Sequence, residues 1–107
     1  MFIETKTFTV TEGSSQKVVD HFTGEGVIEH AEGFIDLSVL VKRVRRGEEE
    51  VIVLIRWGSE DNWKAWEKSE PHLEMHRQSR GKPKPEHIID VKLGLYDVKS
   101  SKSAVVS

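Results

Sequence analysis

From Phe2 to Val10 the chain alternates, with Phe2, Glu4, Lys6, Phe8 and Val10 on one side and Ile3, Thr5, Thr7 and Thr9 on the other. A period of two in a run of Phe, Ile, Thr and Val predicts a β-strand. The same period returns after Gly33. There Ile35, Leu37, Val39 and Val41 are expected on one face, and Phe34, Asp36, Ser38, Leu40 and Lys42 on the other. Arg45–Arg46–Gly47–Glu48 reads as a hairpin turn in which Gly47 supplies a positive φ. Val51 to Trp57 is apolar on both sides except for Arg56, which places this strand in the interior of a sheet. A last strand is expected from Ile88 to Val98, with Ile89, Val91, Leu93 and Leu95 on one face and Ile88 and Tyr96 on the other.

Helical spacing fills the intervals. Val18, Val19 and Phe22 predict a short amphipathic helix that stops at Gly24 and Gly26. The stretch Trp57 to Arg77 holds all 3 tryptophans. Ser59, followed by Glu60 and Asp61, is a helix cap with acidic groups at the positive end of the helix dipole. Ser69–Glu70–Pro71 is a second helix start, since proline is tolerated in a first turn. Trp63 and Trp66 share a face of the first helix, and His72, Met75 and His76 share a face of the second. On one straight helix Trp66 and His76 would point about 80° apart. The break at Pro71 lets both look into one cavity. Spacing leaves two readings of His76: a half-buried helix residue beside core tryptophans, or a metal ligand through a neutral imidazole nitrogen.

The order strand, helix, strand, strand, two short helices, strand is that of an α+β fold. It predicts a ferredoxin-like four-stranded antiparallel sheet with helices on one face. The other face still carries Leu and Val, so it is expected to meet a second copy in a dimeric α+β barrel. Residues 1–98 are read as one domain and 99–107 as a mobile C-terminal tail.

Charge and composition narrow the function. A net charge of −2 argues against nonspecific nucleic-acid binding, which needs a basic face. No apolar run reaches the roughly 20 residues of a membrane span. The N-terminal run lacks the features of a signal peptide, and without cysteine there are neither disulfides nor thiolate metal sites. A cytoplasmic, ligand-handling domain is the expectation. His72 and His76 are two ligands at most, too few for zinc. No phosphate loop, dinucleotide fingerprint or serine-nucleophile elbow occurs, so no flavin or nicotinamide site is expected. Arg77, Arg80, Lys82 and Lys84 form a basic, proline-broken loop that is either solvated or set to receive ligand carboxylates. Glu4 and Lys6 stand out on their apolar face, either because the strand end frays into solvent or because the face becomes a pocket wall near Lys6.

Trp57, Ser59, Trp63, Trp66, Ser69 and His76, with Val18–Val19–Asp20–His21–Phe22 and Glu32–Gly33–Phe34, carry a resemblance. At this spacing and in this strand order the chain resembles the IsdG/HmoA-type heme-degrading monooxygenases of the antibiotic biosynthesis monooxygenase superfamily, from the first strand to about Val98. The resemblance implies a dimeric α+β barrel with one pocket per subunit. It implies heme as both substrate and cofactor, an external electron donor, and oxidative opening of the porphyrin with iron release. His76 would be the axial ligand to heme iron, Trp66 would press the porphyrin out of plane, and Phe22 would form a wall. The family carries an Asn on the first strand where this chain has Lys6, which donates hydrogen bonds but cannot accept them. Two alternatives accompany this reading: a cofactor-free monooxygenase acting on a phenol or quinol, and a non-enzymatic heme carrier.

Overall fold

Val51, Val53, Ile55 and Trp57 are at most 3% exposed, and everything else is laid over the face they form. The computed structural model describes residues 1–105. Its elements are β1 (Phe2–Val10), α1 (Ser15–His21), a 3-10 turn (Ile28–His30), β2 (Phe34–Val41), β3 (Glu49–Trp57), α2 (Glu60–Glu67), α3 (Glu70–Ser79) and β4 (Ile88–Asp97). The strands make one antiparallel sheet in the order β2-β3-β1-β4. β3 is interior, as its two apolar faces predict, and separates β1 from the strand that follows it in the chain. This is the ferredoxin-like arrangement.

The helical side of the sheet carries the core. Phe2, Val53, Ile55, Trp57 and Trp66 form one buried cluster, joined by Phe8, Phe22, Ile28, Phe34, Leu37 and Trp63. Val10, Val18 and Val51 form a second, to which Phe8 and Phe22 also belong. Burying each large apolar side chain contributes about 1.5–3 kcal/mol, so this face dominates the fold's stability.

Two bulges alter the expected alternation. In β2, Phe34 pairs with Trp57 and Asp36 with Arg56, leaving Ile35 as an extra residue. The phase therefore slips: Phe34, not Ile35, joins Leu37 and Val39 on the core side, and Ile35 is 44% exposed. The cause is aromatic packing, with Phe34 edge-on to Trp57 at a centroid distance of 5.8 Å. In β4, Val91 pairs with Phe8 but Ile88 pairs with Val10, which makes Ile89 the extra residue. Ile88 thus shares a face with Val91, Leu93 and Leu95, contrary to strict alternation, and packs on the second cluster.

The helices cover β1, β2 and β3 but leave β4. Val91, Leu93 and Leu95, on the helical side, are 40%, 70% and 49% exposed. Among the described residues the opposite face of the sheet has no layer of its own, and it presents Ile3, Ile52, Leu54, Leu40 and Tyr96. Residues 99–105 form neither helix nor strand, and the last two residues of the expected tail lie outside the described ones.

Candidate functional site

The turn from β3 into α2 is held by Gly33. Its carbonyl accepts the Gly58 N–H at 2.8 Å, and its φ of +81° is open to glycine but strained for other residues. Ser59 caps α2 by accepting from the Asn62 N–H at 3.2 Å, and its hydroxyl donates to Asn62 Oδ1 at 2.8 Å. Ser69 does two jobs at the next corner. Its hydroxyl donates to the Trp66 carbonyl at 2.6 Å and accepts from the His72 N–H at 3.4 Å. One side chain thereby ties the end of α2 to the start of α3, where Pro71 occupies the first turn. The two cap positions and the proline agree with the expected helix starts.

This corner brings Trp66, His72 and His76 into one stack. Trp66 is 6% exposed and lies against Trp57, ring centroids 6.4 Å apart. Its other neighbour is the His72 ring at 5.2 Å, and His72 meets His76 edge to face at 4.5 Å. The Nε2 atoms of the two histidines are 3.3 Å apart. Nδ1 of His72 is 3.1 Å from the Glu67 carbonyl, which can only accept, so this nitrogen carries a hydrogen and donates. The Glu67 carboxylate stands 3.5 Å from His72 Nε2. His72 is buried, whereas His76 is exposed. The His72 ring therefore lies between Trp66 and His76 and touches both.

On β1 the helical face runs Phe2, Glu4, Lys6, Phe8. Phe2 packs on Trp63 at 5.3 Å and Phe8 on Phe22 at 5.8 Å, so α2 covers one end of this row and α1 the other. Lys6 lies between them, half-buried, paired with Val53 on one side and with exposed Leu93 on the other. Paired on both sides within the sheet, it is not part of a frayed strand end. Glu4 is 6% exposed. Burial holds its carboxyl group above the usual range; Lys6 opposes that shift, Glu67 adds to it, and the nearby indoles of Trp57 and Trp63 oppose it. The indole N–H groups of Trp57 and Trp63 are themselves buried and lack an aligned hydrogen-bond partner.

A cavity of about 420 Å³ opens between the end of α1, the segment after it and β2, walled by Phe22, Val27, Ile28, Phe34, Leu37 and Met75. A smaller one of about 270 Å³ lies behind α2, lined by Trp66, Ala65, Pro71, Val27 and His30 among others. Phe22 thus faces the larger space and Trp66 the smaller, while His76 and Lys6 border neither. His76 follows Met75, a wall residue, on α3, and Lys6 adjoins the uncovered strip of β4. Of the basic loop, Arg77 is engaged by Glu70 and Glu74, and Lys84 donates to the Ile89 carbonyl at 3.1 Å. Among the described residues no three His, Asp or Glu side chains converge on a metal position. A single imidazole such as His76 suits a metal whose remaining positions are filled by a macrocycle.

Spacing marks Glu4 as odd on its strand face and puts His72 and His76 on one helix face, but assigns neither Glu4 nor His72 a role. The usable signals were an acidic residue on an apolar strand face and two histidines one helical turn apart. Neither says what the residue touches.

Comparison with known proteins agrees with this architecture. The family model for antibiotic biosynthesis monooxygenases matches residues 1–78. The heme-degrading monooxygenase HmoA of Bacillus subtilis is 50% identical over 102 residues, 95% of this chain and 94% of that one. A Bacillus cereus crystal structure assigned to antibiotic biosynthesis monooxygenases is 65% identical, with a TM-score of 0.87 over 99% of this chain and 98% of that one. MhuD of Mycobacterium tuberculosis, solved with two hemes in its active site, shares the fold at a TM-score of 0.69 and 18% identity, covering 96% and 100% of the two chains. On the family model and on these relatives, the chain belongs to the antibiotic biosynthesis monooxygenase family.

Proposed function

We propose that this chain is a heme-degrading monooxygenase, which opens the porphyrin ring with O2 and an external reductant and releases the iron. The observation that carries the reading is the half-identity, over nearly the whole length, with a relative that degrades heme. The geometry supports it. A flat apolar macrocycle with a central metal needs apolar walls and one imidazole. Here Phe22 and Met75 line a cavity, Leu93 and Leu95 lie open beside Lys6, and His76 is exposed at the end of the Trp66 stack.

In this reading His76 would hold the heme iron through its imidazole, Trp66 and Phe22 would pack against the macrocycle, and Lys6 would supply a hydrogen-bond donor from β1. Heme supplies the oxygen-activating iron as well as the carbon that is attacked. The protein's share is to orient the ring and to exclude alternatives by shape. Electrons come from outside the chain. The uncovered sheet face is the contact of a cytoplasmic homodimer, residues 1–98 are the working domain, and 99–107 are an appendage to it.

The test is a hemin titration followed by ascorbate in air, read as a full visible spectrum. Binding and then loss of the Soret band is expected. His76→Ala is expected to lose axial ligation, and an unchanged ferric spectrum in that variant would overturn the assignment of His76. Hemin bound and returned intact would instead make the protein a carrier. No hemin binding, with O2 uptake on a quinol, would make it a cofactor-free oxygenase.

A further inference from the structure

His72 is buried between the two residues to which the proposed function gives work, Trp66 and His76, and that function gives it none. Its ring is pinned from two sides. Trp66 packs against it at 5.2 Å, and the Glu67 carbonyl takes its Nδ1–H at 3.1 Å. A neutral His72 therefore presents a lone pair at Nε2. The Nε2 atom of His76, 3.3 Å away, is the group that meets it, with the Glu67 carboxylate 3.5 Å off to the side. Two lone pairs would repel at that distance, so one of the two nitrogens carries a hydrogen and Nε2 of His76 is engaged by His72 either as donor or as acceptor.

The same atom is the one iron requires. Nε2 is the ring nitrogen remote from Cβ, whereas Nδ1 lies beside Cβ and so close to the backbone of α3. Ligation through Nε2 needs its lone pair free. His76 must then give up its bond to His72. One nitrogen cannot serve both partners. Because His76 is exposed and His72 is held, the ligand moves and the competitor stays.

We propose that His72 competes with heme iron for Nε2 of His76, and so sets how tightly this protein holds heme. The inference rests on His76 being the axial ligand. It assigns His72 as a positioning residue, acting through His76.

The test is His72→Phe, which keeps an aromatic ring against Trp66 and removes the lone pair. Hemin affinity, measured by Soret titration, is expected to tighten about fivefold, the equivalent of one net hydrogen bond of ~1 kcal/mol. Unchanged or weaker binding by a folded variant overturns the proposal. Wild-type protein offers a second measurement that needs no substitution. A long-range proton–nitrogen NMR spectrum recorded before hemin is added is expected to show His72 protonated on Nδ1 and the Nε2 resonance of His76 shifted by its hydrogen bond to His72. A His72 protonated on Nε2 alone would also overturn it. Failure of the axial assignment is read separately, from His76→Ala, and leaves the NMR result of the imidazole pair standing.

Discussion

Glu4 on β1 presents its carboxyl group to the indole N–H of Trp57 on β3, and both groups are shut away from solvent. The indole N–H has no hydrogen-bond partner among the described residues, yet it draws the carboxyl group's pKa down. Burial outweighs that pull, so the folded protein holds Glu4 above its ordinary value. A carboxyl group of this kind favours the fold while protonated. Its contribution is fully present below the unfolded-state pKa and is lost as pH rises through the higher folded-state value. Glu4→Gln does not titrate and keeps the shape. Its melting temperature is expected to exceed that of wild type at neutral pH, and the gap should close on acidification to about pH 4, near the ordinary carboxyl pKa. Thermal melts across this range decide it; a gap independent of pH would mean that Glu4 titrates normally.

Gly33 should accept no side chain. Its φ is +81°, and a Cβ there would lie 2.1 Å from the side chain of Asn62, the residue locked to the cap of α2. Gly33→Ala is expected to destabilise the protein by roughly 1–3 kcal/mol through the backbone strain alone, with the clash added to it. Urea unfolding measures this, and an unmoved midpoint would refute the close approach.

Ser69 joins α2 to α3, so its removal should be felt at both the stability and the ligand level. Ser69→Ala loses a cap worth about 1 kcal/mol and frees the corner that aims His72 and His76. A lower melting temperature together with weaker hemin binding is expected. A stability loss with hemin affinity intact would show that the corner angle does not matter to the site.

The second sheet face predicts the oligomer. Ile3, Ile52, Leu54, Leu40 and Tyr96 are held on one surface with no layer over them among the described residues, around the Asp36–Arg56 ion pair. A two-fold contact would bring this surface against itself. Leu54→Glu is expected to turn a dimer into a monomer in sedimentation velocity at micromolar concentration, because each copy would bury a charge against its mate. A wild-type monomer under the same conditions would remove the basis for the interface.

Much of this was legible in the residues. The alternation of β1, the doubly apolar run of β3 and the caps at Ser59 and Ser69 are local properties, and the elements fell where these placed them. The two errors of facing, at Phe34–Ile35 and at Ile88–Ile89, have one cause. A bulge inserts a residue when packing across the sheet rewards it, as Trp57 rewards Phe34, and alternation within a single strand carries no sign of it.

The site divides along the same line. By itself the sequence determined which side chains were gathered: three tryptophans, two histidines a turn apart, a proline that breaks the helix, and an acidic residue on an apolar strand. These depend on spacing of a few residues and survive any arrangement of the rest. Only the tertiary structure decided that His72, not His76, is the buried one, and that Trp66 reaches His76 through it. It alone put Glu4 against two indoles, left Lys6 at the edge of an open strand, and set Phe22 and Trp66 on different cavities. Burial and hydrogen-bond partners come from elements far apart in the chain, and no residue's own neighbours in sequence record them.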